Sequence, residues 1–397
     1  MKNTIQGSII WFVVTLFVVY AFCLNTAAAV FSEPIKSTLH ASNLGVSVAV
    51  GAFIVGFACM QIPAGYLLDK YNARFAISSG VFLLALGNII ISFSNNLVLF
   101  SLSNLLQGIG ASFAFIAAGI VISQWFQAKL FPILFGLTQT VSCISAAVIH
   151  YVFTIALTKH SWNEIYQILA ICGFILLLLT LLLVKSPADY SKTDSTSLKQ
   201  SLSIVLQNQQ IWFCAIAAMT SFGALLAYAS FWYVNIQKFY AVQTLDAVII
   251  SGMIFIGIGI GTPVWGWISN RVKSRKMIIH VSLTLGALGL LLCLYLPHYQ
   301  INTLILIKTI SLVTGLLLSG SMLFYTVVSE MSSNATRGVA LSIINTGVFL
   351  FNTLLMFIPY LFITVTSSMF FTYLWLFPFC VIIAILINYF IAETYSQ

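Results

Sequence analysis

The chain has 397 residues, of which 60% are hydrophobic and 6% charged, with a mean hydropathy of +1.05. A soluble domain carries about 25% charged residues, so a water-facing surface is excluded and an integral membrane protein is indicated. The formal net charge of +8 does not mark a nucleic-acid binder, because the cations sit in a few connections between apolar runs.

Twelve apolar runs follow one another, at about 9–31, 45–68, 75–94, 98–123, 132–156, 165–184, 210–235, 246–268, 277–296, 302–326, 339–362 and 369–391. Each is about 20 residues long, the length a helix needs to cross roughly 30 Å of hydrocarbon. Lys2, the first run and Ala27-Ala28-Ala29 together imitate a secretory signal with its cleavage site. The run is read as a retained helix, because its Trp11-Phe12 matches Trp212-Phe213 in the seventh run (212 − 11 = 201). The same offset relates two polar cassettes. Gly65-Tyr-Leu-Leu-Asp69-Lys70-Tyr-Asn72-Ala-Arg74 follows run two, and Gly266-Trp-Ile-Ser-Asn270-Arg271-Val-Lys273-Ser-Arg275 follows run eight (266 − 65 = 201). A constant offset of half the chain means a duplicated unit.

The fold class expected is therefore an all-α membrane protein of twelve transmembrane helices in two pseudo-symmetric halves, 1–185 and 210–397, joined by a polar linker, 186–209. Leu198-Lys-Gln-Ser-Leu-Ser-Ile-Val-Leu206 within the linker has helical apolar spacing and is expected to lie along the inner face. With the N-terminus inside, twelve of the sixteen Lys and Arg fall on the inner side, Lys36, Lys159 and Lys238 fall outside, and Lys308 falls within a run. This bias places both termini in the cytoplasm. The seven cysteines all lie in apolar runs and form no disulfide framework.

The first cassette resembles the loop signature Gly-x-Leu-x-Asp-Arg-x-Gly-x-Arg/Lys of the major facilitator superfamily, with Gly65, Leu67, Asp69, Lys70 and Arg74 in place. Asn72 stands for the second glycine and is expected to tolerate a left-handed backbone there. The resemblance implies a transporter working by alternating access, with a substrate site between the halves near mid-membrane. It also implies a latch at the inner ends, formed here by Gly65, Asp69, Lys70 and Arg74. In the second copy Asn270 replaces the aspartate and Lys273 the glycine, so the main latch is expected in the first half. Glu330-Met-Ser-Ser-Asn-Ala-Thr-Arg337-Gly338 resembles the family's acidic-to-Arg-Gly loop, and Glu330 is the expected partner of Arg271 or Arg337. Asn104-Leu-Leu-Gln107-Gly108-Ile-Gly110 resembles the family's Arg-x-x-Gln-Gly-x-Gly element without its arginine, which weakens the case for proton coupling. The Gly-Pro signature of drug–proton antiporters is absent from run five. Tyr20-Ala-Phe followed by Gln61-Ile-Pro63-Ala-Gly65 resembles nutrient permeases of intracellular bacteria.

Ionisable groups inside a membrane are costly and so mark function. No acidic residue falls in mid-helix, and Lys308, about seven residues into run ten, is the outstanding cation. It is read either as a receptor for a substrate carboxylate or phosphate, or as a side chain snorkelling to the outer interface. A repeat offset of 204 would make it the counterpart of Asn104. Neutral candidates for a cavity are Tyr20 and Asn25 in run one, Asn104 and Gln107 in run four, and Gln139, Cys143, Ala146 and His150 in run five. Ser221, Tyr228 and Trp232, at 7-and-4 spacing, come from run seven, and Asn345 and Asn352 from run eleven. Each alone also fits an interhelical hydrogen bond. Gly257-Ile-Gly259-Ile-Gly261 is a close-packing stripe rather than a nucleotide loop. No metal-ligand spacing and no nucleophile–base pair stands out, so no metal, cofactor or enzyme activity is expected.

The expected function is secondary active or facilitative transport of a small anionic or zwitterionic metabolite, an amino acid or organic acid, across a bacterial inner membrane. The implied partners are that substrate and membrane lipid, with no nucleic acid; proton coupling is left open and a monomer is expected. The alternatives are an exporter of amphiphilic compounds, suggested by 14% aromatic content, and a non-transporting receptor on the same fold. An intact latch argues against the receptor, which has no need to alternate.

Overall fold

Among the described residues eleven helices are long and apolar enough to cross a membrane, and the shorter apolar helix Leu376–Asn388 completes a series of twelve. The structure, a computed structural model, describes residues 4–187, 197–233, 236–237, 240, 242–297, 303–362 and 374–395. The first six helices are α1 (Thr4–Val30), α2 (Asn43–Lys70), α3 (Ala73–Ser92), α4 (Leu97–Trp125), α5 (Phe131–Ala156) and α6 (Trp162–Leu183). The seventh, α7, begins as Gln209–Ala218, followed by α8 (Thr244–Val272), α9 (Arg275–Tyr295), α10 (Leu304–Met331), α11 (Arg337–Phe362) and α12 (Leu376–Asn388). Of the expected linker, 188–196 lie outside the described residues, and Leu198–Gln207 is a short helix.

Polar residues at the ends of the apolar runs set the helix boundaries. Ser42, Asn96, Ser161 and Ser274 each accept a hydrogen bond from the backbone N–H three residues on, satisfying a donor that the first turn leaves open. Asn72 has φ −58° and ψ 132° and caps α3 through the N–H of Arg74. The left-handed backbone expected at Asn72 is instead found at its repeat partner Lys273, with φ 59°, where α8 ends.

Two compact units emerge. One comprises Met1–Ala128, Ile144–Ser203 and Ser333–Ser342; the other comprises Lys129–Cys143, Ile204–Ser332 and Ile343–Gln397. The start of α5 thus belongs with the unit built mainly from the second half of the sequence, and the start of α11 with the unit built mainly from the first.

Inside each unit the duplication is visible in the packing. In the first unit a Cβ on Gly56 would strike the Leu105 carbonyl, and one on Gly108 the Phe53 carbonyl. In the second unit Gly257 stands in the same way against Leu312, and Gly315 against Ile254. These contacts bring α2 onto α4, and α8 onto α10, at backbone distance, which only a residue without a Cβ permits. They also fix the register of the repeat. The offset is 201 on α2 and α8 (257 − 56; 254 − 53) but 207 on α4 and α10 (312 − 105; 315 − 108). Lys308 therefore corresponds to Ser101, and Asn104 to Ser311, so Lys308 is not the counterpart of Asn104.

The seventh helix departs from its counterpart α1. It contains π-turns at Met219–Gly223 and Tyr228–Trp232, separated by Ala224–Ala227. The 7-and-4 spacing read for Ser221, Tyr228 and Trp232 belongs to a regular helix, which α7 is not. Ser251 of α8 donates to the carbonyl of Ala229 inside the second π-turn.

Candidate functional site

In the first unit the end of α2 meets the start of α11. Asp69 accepts the backbone N–H of Gly338 at 2.7 Å and of Val339 at 3.0 Å. The first N–H groups of a helix have no intrahelical partner, and the helix dipole favours a negative charge there. A Cβ on Gly65 would collide with the Gly338 carbonyl and stand 2.8 Å from Ser342 Oγ, so a larger residue at 65 would push α11 away and lift its N–H groups off the carboxylate. Arg337 donates to Asn334 at 2.7 Å. Lys70 is exposed and lies over the rings of Tyr66 (5.3 Å) and Tyr71 (5.7 Å). Arg74 donates through Nε to the Val184 carbonyl at 2.9 Å.

The second unit repeats the arrangement with other chemistry. Gly266 rests on the backbone of Pro132 and Ile133, where a Cβ would come within 2.8 Å and 3.1 Å. Asn270 Nδ2 donates to the Lys129 carbonyl at 2.5 Å, just before α5. Glu330 pairs with Arg275 (2.9 Å) rather than with Arg271 or Arg337. Arg271 stacks over Trp267 at 5.8 Å. Arg275 is only 1% exposed and also donates through Nη1 to Ser269 Oγ at 2.6 Å and to Asn270 Oδ1 at 2.7 Å. The C-terminal stretch closes over this pair. Thr394 Oγ1 donates to Glu330 (2.6 Å), the Tyr395 ring lies 4.9 Å from the guanidinium, and Glu393 accepts the N–H groups of Arg275 (2.9 Å) and Lys276 (3.1 Å). Partial burial pushes the Glu393 carboxyl up, but bonds from Ser274 and from the backbone of Arg275, Tyr395 and Lys276 outweigh it and hold the group below its ordinary value.

The remaining candidates fall into separate sets. In the first unit, Gln107 Nε2 donates to Asn88 Oδ1 (2.8 Å), Asn88 Nδ2 to Tyr20 Oη (2.6 Å), and Tyr20 to the Leu169 carbonyl (2.7 Å). This chain ties α4, α3, α1 and α6 together. Asn88, which the sequence reading did not single out, is its centre. Asn104 donates to the Phe100 carbonyl at 3.0 Å. Asn104 Oδ1 and Gln107 Oε1 are buried acceptors with no hydrogen-bond partner among the described residues. Asn25 is exposed.

In the second unit, Gln139 donates to Cys143 Sγ at 3.3 Å, Asn345 Oδ1 accepts from Tyr325 at 3.0 Å, and Asn352 Oδ1 is a buried atom with no hydrogen-bond partner among the described residues. Ser221, Tyr228 and Trp232 are all buried. Tyr228 stacks on Tyr233 with ring centroids 4.8 Å apart, and Trp232 donates to the Leu355 carbonyl at 2.9 Å. Lys308 Nζ lies 3.0 Å from Asp246 Oδ1, with 30% and 29% of the two side chains exposed. Neither expected role of Lys308 includes this partner. It is the fifth residue of α10, which starts at Leu304, so it sits about 6 Å from the helix start at 1.5 Å per residue, shallower than the seven residues expected. The side chains of Ala146 and His150 lie outside the described residues. Among the described residues no three His, Cys, Asp or Glu come together as metal ligands.

A family model described as the Major Facilitator Superfamily matches residues 13–353. The Bacillus subtilis (strain 168) protein described as the uncharacterized MFS-type transporter YdgK is 23% identical over 294 residues, covering 72% of this chain and 73% of that protein. The hexuronate transporter of Escherichia coli (strain K12) is 26% identical over 313 residues, 69% of this chain and 68% of that one. Multidrug resistance protein MdtL of Shigella dysenteriae serotype 1 (strain Sd197) is 25% identical over 175 residues, only 41% of this chain and 44% of its own length. Among solved structures, the E. coli fucose:proton symporter FucP has a TM-score of 0.78 at 17% identity, covering 99% of this chain and 100% of its own. The proton:xylose symporter XylE has a TM-score of 0.73 at 15% identity, covering 98% and 97%.

Proposed function

The chain belongs to the major facilitator superfamily, and on that premise we propose that it carries a small zwitterionic metabolite, an amino acid or a related amino-carboxylate, across a bacterial inner membrane by alternating access. As a family member it is a multi-pass membrane transporter of a small molecule and not an enzyme.

The observation that carries the substrate class is the Lys308–Asp246 pair. The pair is partly exposed, and an ion pair that is not buried contributes only about 0–1 kcal/mol to stability, so it is readily opened. An amino acid supplies both replacement charges, its carboxylate to Lys308 and its ammonium to Asp246. A simple organic acid leaves Asp246 uncompensated, and a simple amine leaves Lys308 so.

Alternation is attributed to the Asp69 clasp. Its bonds join the end of α2 to the start of α11, stretches from the two halves of the sequence. Made and broken once per cycle, they would tie the start of α11 to the end of α2 in one state and release it in the other. The crowding of cations on one side supports cytoplasmic termini. Thermal stabilisation of the purified protein by a panel of amino acids, organic acids and amines tests the assignment, since a ligand of the folded state stabilises it by RT ln(1 + [L]/Kd). Amino acids alone should stabilise; stabilisation by monoamines or dicarboxylates instead would overturn the class.

A second reading, export of amphiphilic compounds, is favoured by the partial likeness to MdtL. It predicts that expression protects cells from toxic amphiphiles without improving growth on a scarce amino acid.

A further inference from the structure

Asn270 holds the place of Asp69 in the repeat (270 − 69 = 201) but meets the opposite chemistry. Asp69 faces two N–H donors. Asn270 faces a carbonyl oxygen, that of Lys129, at 2.5 Å. A carboxylate accepts hydrogen bonds and cannot give one, so it suits the first position and fails at the second. The orientation of the amide follows from its other neighbour. A guanidinium has donors only, so the Asn270 atom 2.7 Å from Arg275 Nη1 is Oδ1, and the NH2 is left to point at Lys129.

From this we infer that Asn270 is a hydrogen-bond-donating clasp on the carbonyl that precedes α5, and that Arg275 is the positioning residue that fixes its polarity. It is no decayed copy of a carboxylate latch. Arg275 is suited to the task because it is buried and held from several sides. Glu330 holds Nη2 at 2.9 Å, Ser269 holds Nη1 at 2.6 Å, Glu393 accepts its backbone N–H at 2.9 Å, and Tyr395 covers its face. Its repeat partner Arg74 instead donates to the Val184 carbonyl. Close backbone contact completes the clasp. Gly266 lies on Pro132, and a Cβ on Gly136 would stand 2.7 Å from Pro263, so a short amide reaches across. The two cassettes thus grip the starts of α11 and α5 with opposite polarity, a carboxylate on N–H groups and an amide on a carbonyl.

The consequence is counterintuitive: restoring the aspartate should weaken the grip. The new carboxylate would bond Arg275 and leave acceptor against acceptor at Lys129. The inference rests on the transport reading only for its consequence in the cycle, and its test needs no substrate. Backbone hydrogen exchange of the full-length protein in lipid nanodiscs is followed in 131–140 and, separately, in 337–346. Asn270→Asp and Asn270→Ala should each speed exchange in 131–140 by about fivefold, the worth of one hydrogen bond, and leave 337–346 unchanged. Removing Arg275 alone would strand the Glu330 carboxylate, so Arg275→Gln is combined with Glu330→Gln. That pair should also speed 131–140, and Arg275→Lys, whose ammonium still donates to Oδ1, should restore most of the protection. Slow exchange in Asn270→Asp together with fast exchange in Asn270→Ala would show that an acceptor suffices and would overturn the polarity. Unchanged exchange in Asn270→Ala would remove the clasp altogether. An unchanged 131–140 in the paired variant would remove Arg275 from the role. The Asp69 clasp is read independently, from 337–346 in Asp69→Asn, so failure of one is distinguishable from failure of the other.

Discussion

Replacing Asp69 by Asn is a change of one atom, and the clasp geometry gives its size. Two backbone N–H groups at the first turn of α11 reach the two carboxylate oxygens, at 2.7 and 3.0 Å. Bonds to a charged acceptor are worth about 1.5–3 kcal/mol each, and a negative charge at a helix N-terminus adds about 0.3–1 kcal/mol. The amide keeps one oxygen, loses the charge, and turns an NH2 toward the second N–H. A net loss of about 2 kcal/mol follows, which is about 30-fold in the ratio of clasped to open forms. Folding should be spared, because the twelve helices and their glycine contacts are untouched. The assay is uptake into proteoliposomes at matched reconstituted protein, with exchange of 337–346 followed in parallel. Uptake should fall to a few per cent of wild type while exchange in 337–346 rises. Near-normal uptake by a well-reconstituted Asp69→Asn protein would refute the clasp as a working part of the cycle.

Three further outcomes are expected. Lys308→Gln and Asp246→Asn should each abolish stabilisation by amino acids while shifting the unliganded melting temperature little, as the pair is partly exposed; retained stabilisation in either removes the pair from the site. Gly108→Ala and Gly315→Ala should each lower the melting temperature in mild detergent by an amount corresponding to about 1–3 kcal/mol, because their Cβ would strike the Phe53 or Ile254 carbonyl. Gly51→Ala and Gly252→Ala, whose Cβ meets nothing within 4 Å, should be neutral controls. Glu393 has a carboxyl pKa held below its ordinary value of 4.5. It therefore contributes stability above that value and loses the contribution as pH falls through the lowered one. Wild type should melt above Glu393→Gln at pH 7, and the gap should close as the pH is taken well below 4.5; a gap independent of pH would contradict the assignment.

The twelve helices and the duplication were legible because apolar length and a constant offset survive any rotation of a helix. Side-chain partners depend on that rotation and were less so. Arg271, Arg275 and Arg337 are equally basic in the sequence, and which of them meets Glu330 is decided by where α9 starts and by a tail more than a hundred residues downstream, through Glu393 and Thr394. Asn72 stands where the signature has glycine, but an Asn before a helix also caps it, and here it caps α3. An approximate offset of 204 pairs Lys308 with Asn104. The glycines that correct it, Gly56 and Gly108 against Gly257 and Gly315, were in the sequence, but their pairing needs three dimensions. Asn88 gave no signal, being a single Asn in an apolar run, although it holds Gln107 and Tyr20.

Flux of an amino acid is the most direct test of transport. Purified protein in liposomes, loaded with an excess of one unlabelled amino acid and diluted into the labelled form, should accumulate label above protein-free liposomes, saturably, with the signal lost in Asp69→Asn and in Lys308→Gln. Absence of counterflow for every amino acid that stabilises the protein would contradict it.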